Sequence, residues 1–156
     1  MPTPFTHLEI AQRLLRDPKL PRRHRNDLLL EKGAFLLGNI AADARVDSGA
    51  PRLSTHFYHY GTGISVHPWR AMIDQYPALM SPQSPAHRAF VAGYVAHLSV
   101  DEIWALQMVG PHIAMGDWGD NVNFRFFILH LLLITMDERD FAQLEPWQSA
   151  HLKQAR

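Results

Sequence analysis

His97 and Asp101 stand four residues apart inside the apolar stretch AFVAGYVAHLSVDEIWALQM, residues 89–108. Leu, Met and Ala dominate this stretch and no proline interrupts it, so the composition predicts a buried helix. Residues four apart share a helix face, roughly 5–6 Å between β-carbons. At 100° per residue, Phe90, Tyr94, Trp104 and Met108 fall on that face too. A carboxylate placed in an apolar stripe needs compensation, either by a divalent metal or by a hydrogen-bonded imidazole that fixes helix register. Taken alone, the pair fits both.

The rest of the composition narrows the chemistry. The 156 residues contain ten histidines and no cysteine. That excludes disulfides, thiolate catalysis and every Cys-based zinc site, and leaves His, Asp and Glu as strong ligands. With 47% hydrophobic and 19% charged residues, the chain reads as one folded domain over residues 1–156. Fifteen basic residues balance fifteen acidic ones, so no net field attracts nucleic acid or anionic membrane. No basic segment followed by an apolar core marks Met1 to Ile10 as a secretory signal, which makes a cytoplasmic location the expectation. The longest apolar run, Phe126 to Met136, is about half of what a bilayer span needs, and His130 interrupts it.

The elements that must position these groups are helical. Pro4 to about Arg16 reads as a first amphipathic helix, with Thr3 and Pro4 at its start or a capping box between Thr6 and Glu9. A second helix is expected over Asn26 to Leu37, ending at Gly38. Residues 39–69 carry Gly, Pro, Ser, Asp and aromatics without sustained periodicity, which predicts a long ordered loop. Pro68 opens a short helix to Gln75, and Ser84–Pro85 cap the long helix bearing His97. After a break at GPHIAMGDWGD, helices are expected over Val122–Glu138 and Phe141–Gln154. Nothing alternates with period two for long enough to be a strand. The expectation is an all-α bundle of five to six helices.

Three more ligand-type residues lie beside backbone punctuation: His7 in PFTH, Asp43 at the end of GNIAAD, and His56 in THFY. With the helical His-x-x-x-Asp in this order, residues 3–106 resemble the zinc-dependent phospholipase C family. That family is all-α, carries a three-zinc cluster, cleaves the phosphodiester of phospholipids, and is related to single-strand-specific nucleases. The resemblance implies zinc as the cofactor and His56 and His97 as ligands. It makes Asp101 a bridge between two zincs, and His7 the residue that completes the second site. Asp43 becomes a ligand or the base that orients the attacking water.

The sequence departs from that pattern in two places. The secreted members begin at a tryptophan whose amine and carbonyl bind zinc, whereas this chain begins Met1-Pro2-Thr3. The family supplies a further His and a His-x-x-x-Glu pair after the bridging aspartate. Here Gln107 stands at the first position, and His112 and His130 are followed four residues later by Gly116 and Ile134. One or two ions per chain are therefore expected rather than three, on a lipid or small-molecule phosphate ester. The competing readings are a single-strand nuclease-type phosphodiesterase and a helical metal-binding or partner-binding module without catalysis. His130 is expected in the core, His112 in a loop as a possible substitute ligand, and His59 in a loop beside the site.

Overall fold

A computed structural model describes residues 2–59 and 63–144. The chain is an all-α single domain. Among the described residues there is no strand, and no helix is long and apolar enough to cross a membrane. The helices are α1 (Pro4–Arg16), α2 (Arg22–Leu30), α3 (Lys32–Ala41), α4 (Arg45–Ser48), α5 (Leu53–His56), α6 (Pro68–Gln75), α7 (Pro85–Trp104) and α8 (Val122–Gln143). Short 3-10 turns cover Ala42–Ala44 and Pro77–Met80, and a π-helical extension carries α7 on through Ala114.

Several expected boundaries are corrected. The chain breaks at Glu31, so the second expected helix is two, and α3 passes through Gly38 instead of stopping there. Residues 39–69 are not one long loop: α3, a 3-10 turn, α4 and α5 make much of their first half helical. The break expected at GPHIAMGDWGD begins later, because the π-helical segment absorbs Pro111. α8 runs past Glu138 to Gln143 and ends at the extended Leu144, so the final expected helix does not begin anew at Phe141, and its residues 145–154 lie outside the described residues. Other expectations hold: α1 and α6 have the expected ends, and the Ser84 side chain accepts the backbone N–H of His87.

The expected capping box at α1 does not form. Thr6 instead donates to Asp140 of α8 at 2.7 Å, Glu9 accepts from Arg13 at 2.7 Å, and Thr3 donates to Asp137. Polar side chains that read locally as caps thus tie α1 to α8. Beneath them Leu8, Ala11 and Leu15 pack with Phe35, Leu36, Ala89 and Leu144 in one core, with the Phe5 and Phe141 rings edge-on at 5.2 Å.

The contact that matters for the site is the crossing of α3 and α7. A Cβ on Gly38 would overlap the Phe90 carbonyl oxygen, and one on Gly93 would overlap that of Phe35. The two backbones therefore touch, which only glycine allows. The buried row of α7 at four-residue spacing is Ala89, Gly93, His97 and Asp101. Small residues bring the helices together, and one turn later the same row delivers the two ligand-type side chains. Gly93→Ala is expected to destabilise the fold by about 1–3 kcal/mol or more, since the neighbour is backbone and cannot give way. Gly33→Ala, with nothing within 4 Å of the new methyl, should stabilise by up to about 1 kcal/mol. Thermal denaturation of the two variants checks the pair, and equal melting temperatures would contradict the close crossing.

Candidate metal centre

The structure brings all five sequence-predicted residues together. His7 comes from the first turn of α1, Asp43 from the 3-10 turn after α3, His56 from the end of α5, and His97 and Asp101 from α7. His56 and His97 are 0% exposed, His7 and Asp101 1%, and Asp43 19%, so one carboxylate alone reaches toward solvent. The pairwise distances are short. His7 Nε2 is 3.4 Å from Asp101 Oδ1, and His56 Nε2 is 3.4 Å from Asp43 Oδ1 and 3.5 Å from Asp101 Oδ2. The Nε2 atoms of His56 and His97 are 3.4 Å apart, and the His7 and His97 rings stack at 3.9 Å.

Local structure explains these orientations. His97 Nδ1 lies 2.8 Å from the Asn39 carbonyl oxygen, which can only accept, so Nδ1 carries the proton and the Nε2 lone pair faces the cluster. Asn39 sits in the last turn of α3, where carbonyls run out of intrahelical partners, and the glycine crossing puts it within reach. His56 Nδ1 lies 2.8 Å from Thr55 Oγ1, and Thr55 Oγ1 donates to the Arg52 carbonyl. This again leaves Nε2 pointing inward. Phe57 follows at φ +62°, a conformation rare for a bulky residue; the turn it makes buries both His56 and Tyr58.

The electrostatics match ligands ready to bind. Burial pushes His97 down to about 4, despite the opposing pull of Asp101 and Asp43, and so keeps its imidazole neutral. Burial would raise Asp101, but His7, His97 and Arg52 outweigh it and hold the carboxyl below the usual range. Asp43 behaves likewise, with burial overcome by His56 and His97. Burial and the Asp43 charge raise Tyr94 to about 12, so its phenol stays protonated and donates to the Thr55 carbonyl at 2.8 Å.

A metal fits this donor set. Both ring nitrogens of His7, Asp101 Oδ1 and Asp43 Oδ2 are buried without a hydrogen-bond partner. Such orphans cost roughly 1–3 kcal/mol each unless something satisfies them. The ligand atoms of His7, His97 and Asp101 lie within 4.8 Å of one another, as do those of Asp43, His56 and His97. Two ligands at the usual zinc distances on a tetrahedron stand roughly 3.3–3.5 Å apart. Four of the cluster's contacts, at 3.4, 3.4, 3.4 and 3.5 Å, have that spacing.

The family model for zinc-dependent phospholipase C matches residues 6–134. The chain belongs to that family. Against the curated proteins and the solved structures it has no significant match.

Other candidate residues stay apart from the centre. His130 is exposed on α8, which corrects its expected core position; the helix there buries Leu129 instead. His112 is exposed, within the π-helical segment rather than a loop, and His59 is exposed at the end of the His56 turn. Neither belongs to a group able to hold a metal among the described residues. Gln107 is exposed as well. The sequence reading missed Arg52, whose Nη2 donates to Asp101 Oδ2 and to the Tyr58 hydroxyl, both at 2.9 Å. It also missed Asn39, whose contribution is a main-chain oxygen and leaves no side-chain signal.

Proposed function

We propose that this protein is a zinc-dependent phosphodiesterase of the phospholipase C type, with His7, His56, His97 and Asp101 as metal ligands and Asp43 at the reacting face. The observation that carries this reading is a set of five family-ordered ligand-type residues, four of them buried, in which the unpartnered His7 Nε2 and Asp101 Oδ1 stand 3.4 Å apart. Bound zinc would lower the pKa of its water toward 7 and neutralise charge on a phosphoryl oxygen.

The chain's own residues account for the rest. Asp43 is the most exposed member of the cluster, and it lines a cavity of about 600 Å³. It is placed to take the proton of the attacking water and return it to the departing alkoxide. Water oxygen joins phosphorus, the P–O bond to the alcohol breaks, and a phosphomonoester and an alcohol leave. The walls around Asp43 are Pro2, Pro4, Leu37, Ile40, Ala44 and Val46, which suits a substrate with an apolar arm. A smaller cavity at His67, Arg70 and Glu102 holds no cluster residue. Apolar walls and balanced charge favour a lipid phosphate ester over single-stranded nucleic acid, whose binding rests on phosphate neutralisation.

The non-catalytic reading draws on one observation, the absence of the later His and Glu donors at Gln107, Gly116 and Ile134. Hydrolysis of a chromogenic phosphodiester such as bis(p-nitrophenyl) phosphate separates the two. The enzyme reading expects turnover that a chelator abolishes and added zinc restores. Zinc binding without turnover on this substrate or on phosphatidylcholine vesicles would establish the structural-metal reading in its place.

A further inference from the structure

Arg52 brings a permanent cation into a centre that a multi-metal cluster would fill with divalent ions. It caps the start of α5, and its carbonyl accepts the His56 N–H at 2.8 Å, so one turn delivers both residues onto Asp101. The side chain is 14% exposed, lies with Cζ 5.0 Å from the centre of the Tyr58 ring, and bonds Tyr58 and Asp101 through the same nitrogen. Its grip on Asp101 is one-sided. Oδ2 takes the guanidinium, while Oδ1 faces His7 without a hydrogen-bond partner.

Two consequences follow for the metals. Asp101 Oδ2 also lies 3.5 and 3.8 Å from the Nε2 atoms of His56 and His97, so a metal bound there would sit beside a guanidinium. His97 belongs to both triads of ligand-type residues, yet Asn39 takes its Nδ1 and its one remaining lone pair serves one ion. That leaves a second ion Asp43, His56 and the Asp101 Oδ2 that Arg52 now holds. The charges point the same way. Two carboxylates and one guanidinium leave one net negative charge, which a single divalent ion already overturns, in a cluster whose most open ligand is 19% exposed. A second divalent ion beside the guanidinium would carry the centre to three net positive charges, against two with Arg52 replaced by a neutral side chain.

We propose that Arg52 is the second cation of this centre, so that the resting protein holds one metal ion, bound through His97, beside one guanidinium. Arg52 is thus a positioning residue: it fixes the Asp101 carboxylate and excludes a second ion. The inference rests on the zinc reading given above.

Zinc stoichiometry tests it without reference to activity. Chelator-stripped, untagged protein is titrated with zinc by calorimetry and then dialysed and analysed for metal. Wild type should bind one zinc per chain, Arg52→Lys one, since the charge remains, and Arg52→Met two. Two zincs in wild type, or one in a folded Arg52→Met, overturns the proposal. Where Arg52→Met fails to fold, Arg52→Gln takes its place, and the wild-type count stands as a test by itself. No zinc in wild type would defeat the metal reading and this inference with it, an outcome distinct from a count of two.

Discussion

Replacing Asp43 with Asn is expected to leave zinc bound and to lower phosphodiester turnover by about 10²–10⁴-fold, the range that general acid–base catalysis contributes. The amide keeps an oxygen where Oδ1 now stands 3.4 Å from His56 Nε2, so the local packing is preserved. What disappears is the proton acceptor. His7, His56, His97 and Asp101 all remain, and the zinc content should fall little. Steady-state kinetics paired with metal analysis of the same preparation checks both halves. Full turnover in Asp43→Asn would remove Asp43 from the reaction, and loss of both zinc and turnover would make it a ligand alone.

His97→Ala should remove zinc altogether and destabilise the protein even without it. His97 is 0% exposed and sits at the junction of four contacts: the Asn39 carbonyl, the His7 ring, His56 Nε2 and Asp101. Truncating a buried ring leaves a cavity and costs about 3–5 kcal/mol in comparable cores. The Asn39 oxygen and the Asp101 carboxylate would each lose a partner as well. For a chain of this size that corresponds to a fall of roughly 6–20 °C in Tm. Zinc should raise the Tm of wild type by linkage and leave that of His97→Ala unchanged. A zinc-induced rise of equal size in both proteins would place the metal elsewhere.

Much of this centre could be read from the sequence because its side chains are of few types at fixed spacings. His97 and Asp101 declare themselves by falling four apart on an apolar helix, and the order of His7, Asp43 and His56 supplies the family. Where sequence reading failed, the cause was a contact distant along the chain. Gly38 looked like a helix stop, yet it lies within α3 because the backbone of α7 approaches there. Thr6 and Glu9 looked like a local capping box, yet the partner of Thr6 is Asp140, 134 residues away. Arg52 had no local mark at all, since its acceptor on Asp101 lies 49 residues on. The segment after Gly38 lacked periodicity because its helices are only a turn or so long, too short for an apolar stripe to show. The helix expected over Val122–Glu138 forms as α8, yet Phe126, Phe127, Leu131 and Ile134 on it are exposed, and among its described residues Leu129 and Asp140 alone are fully buried.

Zinc held by His7, His56, His97 and Asp101, with Asp43 beside it, at the end of the α3–α7 crossing is the proposal. Elemental analysis of untagged protein, expressed with zinc and dialysed against metal-free buffer, tests it most directly. One zinc per chain in wild type, falling to none in His97→Ala, is the predicted result. Wild-type protein that retains no zinc, and whose Tm does not change when zinc is added, would contradict the account. The cluster would then be a buried hydrogen-bonded group of three histidines and two aspartates.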